Sequence, residues 1–203
     1  MPSVTHSIHE TNVPSICHVN LMMDCFLANA NINDLRAVVR ATLATSPPTT
    51  TSVFVTAARK RLERSSATKV PSPIGLFNIQ GETAVPGKAL NDALIQARSL
   101  YGVGMGFASL RCLTMIVGAT VGLRWEEDGE MADTLAAVDA DVSQAIQSCK
   151  EEVAANRVTD LAAAKAVVAS LEKALDDSYH DTQSWGGEYP FEKGSISVRY
   201  WSL

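Results

Sequence analysis

The twenty residues 104–123, GMGFASLRCLTMIVGATVGL, constrain this chain more than any others. They approach the length of a membrane span, yet Arg111 lies inside the run and four glycines interrupt it. A charge and repeated helix breakers make a poor bilayer segment. The run reads instead as a helix over 107–123 that is buried on most sides, at the centre of a core. A helix of that kind has to be wrapped by others.

The rest of the sequence supplies them. A helix is predicted at 88–101, ended by GVGMG at 102–106. Another spans 131–156, with Leu135, Val138, Val142, Ile146, Cys149 and Val153 on one stripe. Thr159 or Asp160 opens a further helix that runs to about Leu175. Near the start, residues 1–14 read as an extended arm. Then Ile16, Val19, Met23, Phe26 and Leu27 recur at helical spacing within 15–30, with Ser15 as N-cap after Pro14. Asn33 is the expected cap of a helix over 34–46, striped by Leu35, Val38, Val39 and Leu43, with Arg36 and Arg40 on its other face. Pro47 and Pro48 stop it. The two helices, joined by a short break, read as an antiparallel pair.

Strands are expected only at the periphery. TTTSVFV at 49–55 is β-branched and reads as one. Residues 57–65 are helical in propensity and hold the chain's only basic cluster, Arg59, Lys60, Arg61 and Arg64. That cluster is a solvated face or a phosphate contact. A connecting segment follows at 66–87, with a short strand at Leu76–Ile79. Residues 180–190 read as loop, and SISVRYW at 195–201 alternates like a strand. The sum is an all-α fold: a four-helix-bundle-like core of antiparallel helices with short peripheral strands. Its parts are an arm at 1–14, a core at 15–180 and an aromatic tail at 181–203.

Composition excludes several classes of function. With 46% apolar and 19% charged residues the chain is globular rather than disordered. Its net charge of −5 argues against a surface that coats nucleic acid by charge alone, though not against a local groove in which a few arginines face phosphates. Cys17, Cys25, Cys112 and Cys149 form no CxxC pair and read as free thiols of an intracellular protein. MPSVTHSIHE has no basic stretch followed by an apolar run, so no secretory signal is read there. His6, His9, His18 and His180 are scattered, no nucleophile elbow or HExxH occurs, and the chain is not read as an enzyme. GVGMG lacks the preceding strand and following Lys-Ser/Thr of a phosphate loop. Glu126, Glu127, Asp128 and Glu130 form an acidic cluster, ordinarily a solvated turn, although its oxygens suit a divalent cation.

Three blocks in order resemble the coat protein of rod-shaped plant viruses of the tobacco mosaic virus type. VNLMMDCFLANANINDLRAVVRATLATSPPTTTSVFV at 19–55 is similar to that fold's two antiparallel helices, Pro-containing turn and strand. LTMIVGATVGLRWEEDGEMADTLAAVDADVSQAI at 113–146 resembles its apolar helix, the Arg just past it, its acidic loop and its next helix. PFEKGSISVRYW at 190–201 is similar to its Phe-Glu signature and terminal Trp. About 85 of the 203 residues are covered, and 57–105 and 150–185 have no counterpart.

The resemblance implies radial helices, self-assembly into a helical homo-oligomer, and packaging of single-stranded RNA without sequence specificity, in a virion and in the host cytoplasm. It implies Arg124 as phosphate partner, with Arg111 also facing the RNA. Asp139 and Asp141 would accept from ribose hydroxyls or orient Arg124. Phe191, Glu192, Tyr200 and Trp201 would lie between subunits. Glu126, Glu127 and Glu130 would face like residues of the next subunit, where acid or Ca²⁺ relieves their repulsion and promotes assembly. No other cofactor, no metal and no membrane partner are implied. The residues alone also admit a membrane-active protein that inserts 104–123, a helical adaptor that docks through its tail, and an enzyme without a sequence motif.

Overall fold

The computed structural model describes residues 21–203. The arm at 1–14, the Ser15 cap, Ile16, Cys17, Val19 and the three N-terminal histidines lie outside the described residues. The chain divides into two compact units, 1–51 and 52–203.

In the first unit, α1 spans Leu21–Asn29 and α2 spans Ile32–Thr45. Asn31, not Asn33, caps α2: its side-chain oxygen accepts from the N–H groups of Asn33 and Asp34, both at 2.9 Å. Ser46 ends α2 ahead of the two prolines. The boundary between the units falls inside α3, Pro48–Arg64. The strand expected at 49–55 is therefore helix. Pro48 occupies the first helical position, where its missing N–H costs nothing, and the Ala-Ala-Arg-Lys-Arg-Leu stretch beyond favours helix.

The second unit holds the core. After one 3₁₀ turn at Ser66–Thr68, an antiparallel hairpin pairs β1, Phe77–Gln80, with β2, Thr83–Pro86. Then come α4 at Lys88–Gly102, α5 at Gly106–Gly118, α6 at Glu130–Ala154, α7 at Leu161–Trp185 and α8 at Glu192–Arg199. The all-α class is correct, and α5 is the centre as its apolarity demands: α4, α6 and α7 all pack on it. Leu110, Leu113, Ile116 and Val117 of α5 are fully buried. Each contributes on the order of 2 kcal/mol by leaving water. Gly106 lets α5 approach α6 closely, because a Cβ there would overlap the backbone of Cys149. Burial pushes the Cys112 thiol up to about 11 and raises that of Cys149 as well, which disfavours the thiolate of each. No described helix is long and apolar enough to cross a membrane.

Two expectations at the C-terminal end are overturned. The loop expected at 180–190 is helical to Trp185, where Gly186 at φ 78° ends α7. The strand expected at 195–201 is α8. Nor is 181–203 a separate tail: α8 packs on α6 and α7, and Phe191 and Val198 belong to the same core.

Candidate functional site

The four residues expected to face RNA do not converge. Arg124 leaves the loop after α5 and pairs with Asp181 of α7, Nη1 donating to Oδ2 at 2.9 Å. The same carboxylate oxygen accepts from the Gly122 N–H, also at 2.9 Å. The Arg124 guanidinium lies 5.3 Å from the ring centre of Trp185, which meets Trp125 edge to face. Gly187 makes this possible, since a Cβ there would collide with the Trp185 ring. Arg124 is thus neutralised within its own chain, by a residue the sequence reading placed in a loop.

Asp139 and Asp141 do not attend it. Residues two apart on a helix point to nearly opposite sides, and these two serve different neighbours. Asp139 is buried and accepts from the backbone N–H groups of Lys193 at 3.2 Å and Gly194 at 2.7 Å. It caps the start of α8, where Phe191 offers no side-chain acceptor. Burial raises its pKa above the usual carboxylate range, and the two donated hydrogen bonds oppose that rise. Gly194 must be small here: a Cβ would stand 2.9 Å from a Val142 methyl and 3.1 Å from Asp139 Oδ1. Asp141 faces α4. It accepts from Arg98 Nη2 at 2.8 Å and from the Tyr101 hydroxyl at 2.9 Å. The hydrogen bond to Asp141 holds the Arg98 proton more firmly, and burial, then the same carboxylate, raises the Tyr101 phenol.

Arg111 is exposed near the middle of α5. It edges a groove of about 460 Å³ formed with Thr114, Met115, Ala163 and Val167. Glu126, Glu127 and Glu130 are all exposed, and Glu130 lies in the first turn of α6, where a negative charge suits the helix dipole. Among the described residues no group of three or more His, Cys, Asp or Glu is placed to hold a metal ion.

Of the residues expected between subunits, Phe191 is 0% exposed in its own core. Trp201 is half-buried with its ring 6.0 Å from that of Phe107, Glu192 is exposed, and Tyr200 is 82% exposed. Further uncovered apolar surface lies on the N-terminal helices. None of the residues of α2 or α3 is buried, and Ile32 at 58% and Val53 at 69% are the most open of their apolar side chains. In α1, Met23, Phe26 and Leu27 are exposed as well. Sequence reading assigned these stripes to a core, and a stripe alone does not say whether its partner lies in the same chain.

No protein-family model matches the chain, and no curated protein or solved structure matches it.

Proposed function

We propose that this chain is a coat protein that polymerises helically around single-stranded RNA and packages it without regard to sequence. The observation that carries the proposal is the pair of helices α2 and α3, amphipathic in pattern and without one buried residue. Exposed apolar patches of this kind belong to interfaces. A second copy is the occupant, because contacts between unlike faces of identical subunits need not close and then extend into a filament.

The RNA half of the reading is supported by charge. Arg36 and Arg40 on α2, and Arg59, Lys60, Arg61 and Arg64 on α3, form no ion pair with any described residue. Unpaired cations beside apolar side chains are what sequence-independent binding of a single strand requires. Glu126, Glu127 and Glu130 stand exposed, where a neighbouring copy would bring like charges together. Protons or Ca²⁺ would then favour assembly.

Sedimentation and negative-stain imaging of the purified chain test this, with and without oligouridylate, at mildly acidic and mildly alkaline pH. Filaments or rods are expected, more readily in acid. A monodisperse solitary species under every condition ends the proposal.

A further inference from the structure

Gly104 adopts φ 73°, and the N–H groups of Val103, Gly104 and Met105 all bond back to the carbonyls of Leu100 and Tyr101. The Val103 carbonyl remains as an acceptor. Arg59 of α3 takes it with two donors, Nε at 3.1 Å and Nη2 at 2.9 Å. Arg157, just past α6, brings its guanidinium to the same place. A Cβ on Gly104 would lie 3.1 Å from Arg157 Nη2 and 3.2 Å from Arg59 Nη2. Two cations therefore meet at one glycine.

Neither is neutralised. Among the described residues no carboxylate oxygen comes within 4.0 Å of either guanidinium. The acids nearest Arg157 in the chain are engaged elsewhere: Asp160 accepts the Ala163 N–H at 2.9 Å, and Glu152 accepts the Phe107 N–H at 3.4 Å. The Nε of Arg157 is buried and has no hydrogen-bond partner. Like charges side by side repel, and a buried donor without an acceptor is costly. An anion with several acceptor oxygens would relieve the repulsion between the two guanidiniums, whose planar forks suit such a ligand. Gly104 lets both guanidiniums approach the turn, since its positive φ and the closeness of the two Nη2 atoms both disfavour a side chain there.

We propose that Arg59 and Arg157, meeting at Gly104, clamp a backbone phosphate of single-stranded nucleic acid. This rests on the coat-protein reading and moves the principal phosphate contact from Arg124, already paired with Asp181, to this pair.

Fluorescence anisotropy of the full chain with labelled oligouridylate over a salt series provides the test. Arg59→Gln and Arg157→Gln are each expected to weaken binding about tenfold and to lower the log–log salt slope by about one. Arg157→Lys should retain the slope, and Arg124→Gln should leave it unchanged. A slope unaltered in both folded glutamine variants overturns the clamp. The parent chain gives a measurement independent of any variant: oligouridylate should protect Arg59 and Arg157 from phenylglyoxal, read by mass spectrometry. Equal modification with and without oligouridylate overturns the proposal. So does equal protection by inorganic phosphate at matched ionic strength, which would mark a site for the free ion. If the parent binds and polymerises while both variants keep full affinity, the clamp fails and the coat reading survives. If the parent does neither, both fail.

Discussion

The two units of this chain treat their apolar residues in opposite ways. In the second, α5 is enclosed by three helices, and even the last helix delivers Phe191 to the interior. In the first, α2 carries a stripe as regular as those of α4 or α6, yet none of its residues is buried: Leu35 and Leu43 are half-buried, and Ile32, Val38 and Val39 are exposed. An amphipathic pattern states that a face needs cover; it does not state where the cover comes from. The core is therefore concentrated in the larger unit, while the described helix α2 of the smaller one buries nothing fully; exposed apolar side chains such as Ile74 and Ile79 occur on the larger unit as well.

Substitutions can break or sharpen that contrast. The largest effect is expected inside the closed unit. Phe191→Ala should cost about 4 kcal/mol in urea unfolding, because the vacated space is walled by helices that cannot collapse into it. A loss below about 1 kcal/mol would show that the C-terminal aromatic is not part of the core. Next is the α4–α6 ion pair. Asp141→Asn should cost about 2 kcal/mol, less than a fully buried pair because the Arg98 side chain is 44% exposed. Tyr101→Phe should cost about half of that.

A smaller effect is expected at Asp139, and its sign is distinctive. Burial raises its folded-state pKa, so the folded chain holds this proton to a higher pH than the unfolded chain does. Stability contributed by the proton is present at low pH and declines as pH rises from about 3.9, the unfolded value, through the folded one. Asp139→Asn should flatten that part of the stability profile; an identical profile in parent and variant would contradict it. The smallest stability change belongs to the open unit and to α3. Val38→Ser or Val53→Ser should alter subunit stability by no more than about 0.5 kcal/mol. The same variants should raise the protein concentration needed for assembly, and unchanged assembly would remove those faces from the interface.

Much of the closed unit was legible. The apolarity of 107–117 marked α5 as central, and the stripe from Leu135 to Cys149 marked α6. The errors share a cause. Val53, Phe54 and Val55 suggested strand, but β propensity reflects a fit to a half-covered pleated surface, and among the described residues the only sheet is the β1–β2 hairpin, in which they take no part. SISVRYW alternates, yet Phe191, Gly194, Val198 and Trp201 also recur at helical spacing, and the cap from Asp139 decides for helix. That cap comes from 55 positions earlier in the chain, so no local window contains it. Asp181 was lost for the same reason. The separation of Asp139 from Asp141 could have been read directly, because helical neighbours two apart diverge. Arg157 gave no signal at all: only the fold brings it to Gly104.

Phe191 also bears on biosynthesis. Until translation has passed it, the growing chain holds a phenyl-sized vacancy among its helices, and α8, eight residues long, is too short to persist unaided. The seal comes from a carboxylate made much earlier, waiting on α6. Prematurely terminated products would therefore keep a sticky, unfilled interior and be open to proteolysis, whereas chains extended through Val198 would pass that checkpoint.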